Sequence, residues 1–384
     1  AAAIAGQLPG LAGAWAPGGP IGLASDGGPA PAFPGLVDGP AEAPPHDGDE
    51  AGWTLGAWAA WADEAEAAVH GPDRDAWLAQ FDDRAAALAD AVEHAIRRGR
   101  ALEALPICAA LSDYYRLRRR LPEGRRLLDR LLAEVRAVPP QLHARALHSA
   151  GTMAYFDGDR ETARRRLEQA LARWRALKEP GVGLLRTLGN LAIALQGLHE
   201  LDRAAEIYDQ CLAMAQRLDE PRLAATALYN AAQNEIRRRD PARARALIAQ
   251  RQALLAERPD VVELARTYAL EAAVDILLGA PDDARHAAAL ALSLYTSAGD
   301  GDGTAHALRL LGQIALADGD ADGAEAHYDE SLAVAERSRS FWDVGQSLAG
   351  LALVYRERGD EAKAQATYLR ASGLLRAAQD DESV

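Results

Sequence analysis

The feature that most constrains this chain is a 40-residue period in its small side chains. Small residues recur at steps of 41, 40, 40, 40 and 40 residues, at Gly151, Ala192, Ala232, Ala272, Gly312 and Ala352. An alanine follows each of them twelve residues later, at Ala163, Ala204, Ala244, Ala284, Ala324 and Ala364. Self-similarity at a fixed period of this length is the signature of a repeat architecture.

One repeat, residues 303–337, shows what the period contains. Between Ala307 and Leu316, apolar side chains follow one another at three- and four-residue spacing, the pattern of one helix face. Gly319 and Asp320 end that helix, and a second amphipathic segment follows. Two antiparallel helices form a hairpin that cannot bury its apolar face alone, so the hairpins must stack on their neighbours.

This pattern resembles a tetratricopeptide (TPR) array. The resemblance implies an all-α fold, an α-solenoid with a right-handed superhelix of about six to seven helical hairpins. Because the common TPR unit has 34 residues, a 40-residue period predicts longer helices or longer loops. The array is expected over residues 104–380, with hairpins near 104–136, 141–178, 182–218, 222–257, 261–297, 303–338 and 342–379.

The N-terminal hundred residues divide into two parts by composition. Residues 1–50 hold nine Pro, eleven Gly and six acidic residues, without Lys or Arg. Such a segment buries too little apolar surface to offset its ordering entropy, so we predict a disordered acidic linker. Residues 51–103 predict an N-terminal helical cap, with a docking face as the alternative. Its aromatic residues are Trp53, Trp58, Trp61, Trp77 and Phe81.

A more specific resemblance runs from about residue 70 to the end. Its motif residues are Trp77, Leu78, Phe81 and Asp82, then Glu123, Gly124, Arg125, Arg126, Leu128, Asp129 and Leu132. They are similar to the segment that joins ATPase to TPR array in STAND-type bacterial signalling ATPases and transcription regulators of the LuxR, MalT and AfsR kind. The resemblance implies a sensor arm in signal transduction. The ATP site does not carry over, because neither Lys178 nor Lys363 follows a Gly-x-x-x-x-Gly motif. Since the chain begins with Ala rather than Met, we expect a longer polypeptide.

In a TPR array, the first helix of each hairpin lines a concave groove. The candidate ligand-binding residues on that face are Arg145, His148, Arg186, Asn190, Tyr229, Asn230, Gln233, Arg237, Arg266, His306, Arg309, Gln313 and Arg356. Six are arginines, and Glu357 is the one acid counted with them, although the net charge is −14. This reversal of sign predicts a protein or peptide partner that is acidic or carries a free carboxylate. Asn190 and Asn230 are expected to hold the backbone of an extended peptide. A solvated face without a ligand is the alternative.

Other classes of function find little support. The nine histidines form no HExxH motif and no nucleophile elbow occurs, so we predict no enzyme, no catalytic residue, no cofactor and no metal. Cys108 and Cys211 are expected to be buried in a reducing compartment, which favours the cytoplasm. No apolar run reaches the ~20 residues of a membrane span. A free-standing TPR scaffold is the alternative function, and nucleic-acid binding, opposed by the net charge, is the least favoured.

Two acidic groups need separate interpretation. Glu271 and Asp275, with Glu235 in the preceding hairpin, interrupt apolar faces, and we expect structural ion pairs with the arginine run 237–239. A ligand-binding or catalytic role for these carboxylates is the alternative.

The second group has the spacing of a calcium loop, with acids at Asp318, Asp320, Asp322 and Asp329. Because Ala324 and Tyr328 are required in the second helix of that hairpin, we interpret the loop as a turn between helices and not as a calcium site.

Overall fold

A computed structural model describes residues 54–68, 74–179, 181–256, 260–338 and 340–380. Within these ranges every regular element is an α-helix, as predicted. The described residues fall into two compact units, 54–200 and 201–380. The predicted linker at 1–50 and Trp53 lie outside the described residues.

The first unit contributes eight helices to the described part of the chain. They are α1 (Leu55–Ala68), α2 (Arg74–Arg97), α3 (Ala101–Ala110), α4 (Ser112–Leu117), α5 (Leu121–Glu134), α6 (Pro140–Phe156), α7 (Arg160–Arg175) and α8 (Gly181–Gly197). Helices α1 and α2 both pack against α3. The division into a cap at 51–103 and an array at 104–380 stays a prediction.

The second unit contributes nine helices within its described ranges. They are α9 (Leu201–Arg217), α10 (Pro221–Arg238), α11 (Pro241–Ala256), α12 (Val261–Leu278), α13 (Pro281–Ala298), α14 (Gly301–Ala317), α15 (Ala321–Arg337), α16 (Phe341–Glu357) and α17 (Glu361–Asp380). Each helix from α10 to α17 packs against the one before it.

Longer helices, and not longer loops, account for the 40-residue period in the repeat that begins at α12. Helices α12 and α13 have 18 residues each. Gly279 and Ala280 join them, and Gly299 and Asp300 lead into α14. Two 18-residue helices and two two-residue connections make up the whole repeat.

The recurrent Gly-Asp pairs shape these connections. Gly319 has φ +80°, a left-handed conformation that suits glycine at the end of a helix. Asp320 then caps α15, because its Oδ1 accepts a hydrogen bond of 2.9 Å from the Gly323 amide. Asp159 caps α7 in the same way, accepting a 3.0 Å bond from the Thr162 amide.

The small residues of the period lie where neighbouring helices approach closely. The alanines that follow the period markers by twelve residues are all buried. In the second unit, a Cβ on Gly350 of α16, two residues before the marker Ala352, would overlap Cε1 of Tyr328 on α15. A Cβ on Gly312 of α14 would lie 3.0 Å from Cζ of the same tyrosine. Tyr328 therefore fills the space that these two glycines leave open.

Aromatic side chains form much of the core at the start of the first unit. The ring centroids of Trp61 and Phe81 are 4.2 Å apart, and those of Phe81 and Tyr114 are 4.6 Å apart. Trp58 also packs on Trp61, edge to face at 5.6 Å. Three helices (α3, α4 and α5) occupy the region of the predicted hairpin 104–136, because the first segment is interrupted at Leu111.

We expect Gly350→Ala to lower the free energy of unfolding of the second unit by about 1–3 kcal/mol, as overpacking against Tyr328 requires. Gly373→Ala on α17 is the matched control, because no heavy atom lies within 4 Å of its added Cβ. That variant should raise stability by up to ~1 kcal/mol through helix propensity. Urea denaturation followed by circular dichroism measures both. Equal effects of the two substitutions would contradict the close packing at Gly350.

Candidate functional site

The thirteen candidate residues all lie on the first helices of the hairpins, within α6 and α8 of the first unit and α10, α12, α14 and α16 of the second. In both units, hydrogen bonds and ion pairs within the protein already engage many of these side chains.

His148 of α6 belongs to a hydrogen-bonded network with α8. Its Nδ1 lies 3.0 Å from Thr187 Oγ1, and that hydroxyl donates its own proton to the Gly183 carbonyl at 2.8 Å. His148 Nε2 lies 3.5 Å from Asn190 Nδ2, which also donates to Thr152 Oγ1 at 3.0 Å. Since the Thr187 proton is used elsewhere and Asn190 presents an N–H, these partners assign the neutral Nδ1–H tautomer to His148.

Burial, and then the charge of Arg186, lower the pKa of His148 to about 4. The imidazole is therefore neutral at pH 7. A proton added to Nε2 would point at the N–H donor of Asn190, so the surroundings that lower the pKa also agree with the tautomer.

The two predicted backbone clamps are both buried. The amide nitrogen of Asn190 is engaged by Thr152, and Asn230 of α10 has no exposed surface. Neither side chain is presented on an open face, so their role in holding a peptide stays a prediction. Equivalent positions in successive repeats show which residues share a helix face, but not which of these residues neighbouring helices bury.

Arg145 of α6 is neutralised by α1. Its Nη2 lies 2.6 Å from Asp63 Oδ1 and also contacts the Glu66 carboxylate. Burial raises the pKa of Glu66, and the charge of Arg145 opposes that shift. Asp63 and Glu66 precede Arg145 by 82 and 79 residues. A comparison of equivalent positions in the repeats therefore could not reveal this pairing. The predicted excess of positive charge is therefore wrong at this position.

Arg251 of α11 is the polar residue that the sequence pattern least explained. It is completely buried and stands seven residues after Ala244, in a column of equivalent repeat positions held elsewhere by the small residues Ala170, Cys211, Ala291, Ser331 and Ala371. Its Nε donates to the Ala225 carbonyl at 3.3 Å, and its Nη1 donates to the Glu263 carbonyl at 2.8 Å. Nη1 also contacts Thr267 Oγ1, Nη2 contacts the Glu263 carboxylate, and the guanidinium lies 5.5 Å from the Tyr229 ring centroid.

Glu263 connects this buried arginine to a candidate residue. Its second carboxylate oxygen forms an ion pair with Arg266, one turn later on α12. Burial lowers the pKa of Arg251, and Glu263 opposes that effect. Tyr229, which accepts a 2.9 Å hydrogen bond from Gln233 Nε2, has its pKa raised by burial to about 12. Arg266 is thus a paired charge and not a free one.

Arg309 of α14 faces Asp343 of α16, with 2.8 Å between Nη2 and Oδ1. The candidate residues did not include Asp343, although Ser340 and Asp343 form a capping pair that the sequence S-x-x-D signals. Burial, and then the charge of nearby Asp343, raise the pKa of Asp302, while the charge of Arg309 lowers it. Burial and Arg309 also lower the pKa of His306 to about 3.

Three residues of α14 and α16 carry buried donor atoms that form no hydrogen bond with any described residue. They are Nη1 of Arg309, Nε2 of Gln346, and Nη1 and Nη2 of Arg356. Gln346 lies one helical turn after Asp343 and is 7% exposed. A buried donor without an acceptor costs about 1–3 kcal/mol. All four atoms are N–H donors, so a group that binds to these helices must supply hydrogen-bond acceptors.

The carboxylates that interrupt apolar faces are engaged, but not all by the predicted arginine run. Glu235 pairs with Arg238 at 2.7 Å, as predicted. Asp275 instead pairs with Arg245 of α11 at 2.5 Å. Glu271 accepts a hydrogen bond from Gln252, and burial raises its pKa. For Asp275 and Glu271 the predicted partners were wrong, because α11 and not the end of α10 supplies the donors.

The acids of the calcium-like segment are also used by the hairpin. Asp320 caps α15, Asp318 contacts Arg285, and Asp322 lies 2.5 Å from Arg358. Ala324 and Tyr328 lie inside α15, as the turn interpretation requires. Among the described residues, no cluster of histidine, cysteine and acidic side chains could hold a metal ion. No helix there is long and apolar enough to cross a membrane.

Both cysteines are buried, and burial raises the pKa of the Cys108 and Cys211 thiols to about 12. A nucleophilic cysteine needs a lowered pKa and an accessible sulfur. These two thiols have neither property.

No protein-family model matches the chain, and no curated protein matches it. Solved structures do. A Rap protein complexed with Competence and Sporulation Factor is 14% identical, with a TM-score of 0.61, covering 85% of this chain and 87% of that one. Aspartyl phosphate phosphatase F from Bacillus subtilis is 17% identical, with a TM-score of 0.58 over 80% and 76%. NprR in complex with its cognate peptide NprX is 13% identical, with a TM-score of 0.57 over 82% and 88%. This likeness to TPR-like helical-repeat proteins confirms the predicted all-α solenoid fold.

We expect acidification to destabilise the first unit through His148. Its unfolded pKa near 6.5 lies above the folded pKa of about 4, so the unfolded chain binds the proton first as the pH falls. Stability should be intact above pH ~6.5 and should fall toward pH ~4, by up to about 3 kcal/mol. His148→Gln should flatten this pH dependence, whereas His286→Gln, an exposed position, should not. Urea midpoints measured at several pH values give the answer, and equal profiles for both variants would contradict the network.

We expect Arg251→Ala to destabilise the region around α11 and α12 by about 3 kcal/mol, because it leaves a cavity and removes the buried partner of Glu263. Gln250→Ala, its exposed neighbour, should change stability by less than about 0.5 kcal/mol. Amide hydrogen exchange of these helices measures the local opening free energy. Unchanged protection in Arg251→Ala would show that the arginine is dispensable.

Proposed function

We propose that this chain is a non-catalytic TPR module that binds a peptide or an extended protein segment along its first helices. The observation that carries the proposal is the set of buried donors on α14 and α16 for which no described residue provides an acceptor. An extended peptide presents a carbonyl acceptor at every residue. Binding such a segment would supply the hydrogen bonds that Arg309, Gln346 and Arg356 lack, after modest side-chain rotation.

The local charges suggest which acceptor each donor takes. Arg309 is already paired with Asp343, and Asp302 adds a further negative charge nearby. A second carboxylate there would be repelled, so a neutral main-chain carbonyl suits Arg309 and Gln346 better. Arg356 forms no ion pair with a described acid, and both of its Nη atoms lack a partner. A carboxylate, which two parallel N–H groups bind well, suits Arg356.

The distance between Gln346 and Arg356 suggests the length of the ligand. Gln346 and Arg356 are ten residues apart on α16, or about 15 Å along a helix that rises 1.5 Å per residue. An extended chain covers that distance in about four or five residues at ~3.3 Å each. The proposed ligand is therefore a short extended segment with a side-chain or terminal carboxylate near Arg356. The sequence predicted an acidic partner in general, whereas this proposal requires a single carboxylate in the ligand, next to Arg356.

Two of the similar structures are complexes, one with Competence and Sporulation Factor and the other with the cognate peptide NprX. Their fold is shared with this chain at 13–14% identity, which makes the same use of the fold a reasonable proposal. A catalytic role is less well supported, although one neighbour is named a phosphatase. His148 and His306, with pKa values of about 4 and 3, are poor proton acceptors at neutral pH.

We further propose that the module is the sensor arm of a bacterial signalling ATPase or transcription regulator in the cytoplasm. The resemblance of the Trp77 and Glu123–Leu132 motifs supports this. Part of that motif has a structural use, since Arg125 contacts Asp157 and lies 2.9 Å from Asp159. The reading frame upstream of Ala1 decides between this role, which requires an ATPase domain there, and a free-standing scaffold.

A random-peptide display selection with the protein tests the binding proposal. Enriched peptides should carry one acidic residue or a free C-terminus. Arg356→Gln should weaken their binding about tenfold, the value of one charge-assisted hydrogen bond. Gln346→Leu should weaken it by a smaller factor. Arg370→Gln, on the exposed face of α17, is the matched control and should bind as the unaltered protein does.

Two outcomes would contradict the proposal. One is a selection without enrichment, and the other is equal affinity of Arg356→Gln and Arg370→Gln for the enriched peptides. Preferential recovery of RNA in a parallel incubation with cellular nucleic acid would favour the nucleic-acid alternative.

A further inference from the structure

A second candidate site lies in the first unit, in a cleft of about 400 Å³ between α5, α6 and α7. Ligand pockets in proteins typically measure ~300–1,000 Å³. Leu132, Leu147 and Ala176 give the cleft an apolar lining. The lining is continuous with a small core of buried residues that includes Leu147 and Trp174. The cleft therefore offers an apolar surface.

The polar groups around this apolar surface are mainly cationic. His143 of α6 and Arg166 and Arg173 of α7 all line the cleft. Arg166 Nη2 lies 3.0 Å from Asp129 Oδ1, but its Nε is buried without an acceptor among the described residues. Arg173 forms no ion pair with an acid in the described part of the chain. Three cationic or ionisable groups thus face one carboxylate, that of Asp129.

The electrostatic effect on His143 agrees with this count. Burial lowers the pKa of His143, and the charges of Arg173 and then Arg166 lower it further. Among the described residues, no acidic group offsets these effects. The cleft therefore has a positive potential while its lining is apolar.

This cleft is separate from the proposed peptide-binding face. His143 precedes Arg145 by two residues, which places the two side chains about 200° apart around α6. Arg145 points to α1, where Asp63 and Glu66 bind it. A ligand in the cleft would therefore not compete directly with the contacts described for Arg145.

We propose that this cleft binds a small amphiphilic carboxylate, whose apolar body lies on Leu132, Leu147 and Ala176 and whose anionic group is held by Arg166 and Arg173. Charge-assisted hydrogen bonds from a guanidinium to a carboxylate are among the strongest polar contacts in proteins. The ligand would supply the acceptor that Arg166 Nε lacks and the negative charge that Arg173 lacks. The proposal does not depend on peptide binding by the first helices.

Octanoate is the probe, with octanol and octylammonium as matched compounds that keep the chain and change the head group. Calorimetric titration should detect saturable octanoate binding at millimolar concentration, weaker binding of octanol, and none of octylammonium. In a proton NMR titration, octanoate should raise the pKa of His143 toward its ordinary value, because it places a negative charge beside the ring. Octanol should leave that pKa unchanged, and His143→Gln assigns the resonance.

Three variants locate the binding. Arg173→Gln should weaken octanoate binding roughly tenfold, the loss of one charge-assisted contact. Ala172 of α7 also lines the cleft, so Ala172→Trp should fill it without changing its charge and should abolish binding. Arg165→Gln, on the same helix but bonded to Thr162 outside the cleft, should bind octanoate as before.

Circular dichroism confirms that each variant is folded before its affinity is compared. The proposal is overturned if octanoate fails to saturate at millimolar concentration or binds no better than octanol. It is equally overturned if Arg173→Gln and Arg165→Gln bind octanoate with the same affinity, or if Ala172→Trp retains binding.

Discussion

The close approach of neighbouring helices is the constraint on which the rest of this structure depends. At each period the chain places a glycine or an alanine on the first helix and an alanine twelve residues later, and all the described alanines of the second set are buried. A larger residue at these positions would separate the helices, and the hairpin could not bury its apolar face. In the second unit, Gly312 and Gly350, the latter two residues before the marker Ala352, leave the space that Tyr328 of α15 occupies.

Because the packing is set by small residues, the polar residues of the first helices are free to differ from one repeat to the next. The structure shows that many of them are used inside the protein. Arg145, Arg266 and Arg309 each have an acid partner, in Asp63 with Glu66, in Glu263 and in Asp343. The sign of a predicted groove therefore cannot be taken from the candidate residues alone. The neutralising acids lie at other positions of the first helices, as Glu263 and Asp343 do, or on α1, as Asp63 and Glu66 do.

This difference also marks the limit of prediction from the sequence. The repeat period, the all-α fold and the turn between α14 and α15 follow from local spacing, because helix faces and Gly-Asp turns are set by residues close in sequence. The pairing of Arg145 with Asp63 joins residues 82 positions apart and required the packing of α1. The predicted pairing of Asp275 with the arginines at the end of α10 was wrong for the same reason. Its partner in the folded protein is Arg245, which belongs to α11. The burial of Asn230 required the tertiary structure as well.

Arg251 shows how the repeat geometry admits an unexpected residue. Its Nε donates to the carbonyl of Ala225, 26 residues earlier, and its Nη1 contacts the hydroxyl of Thr267, 16 residues later. Ser331, eighty residues on, makes the same pair of contacts, with the carbonyl of Ala305 at 2.9 Å and the hydroxyl of Ser347 at 2.7 Å. In these two repeats the position thus offers the same two kinds of polar partner, a carbonyl 26 residues earlier and a hydroxyl 16 residues later. A serine reaches them with its hydroxyl, while an arginine reaches them with its guanidinium and needs the additional carboxylate of Glu263 to balance its charge. The period therefore determines where polar groups meet, and each repeat determines which groups they are.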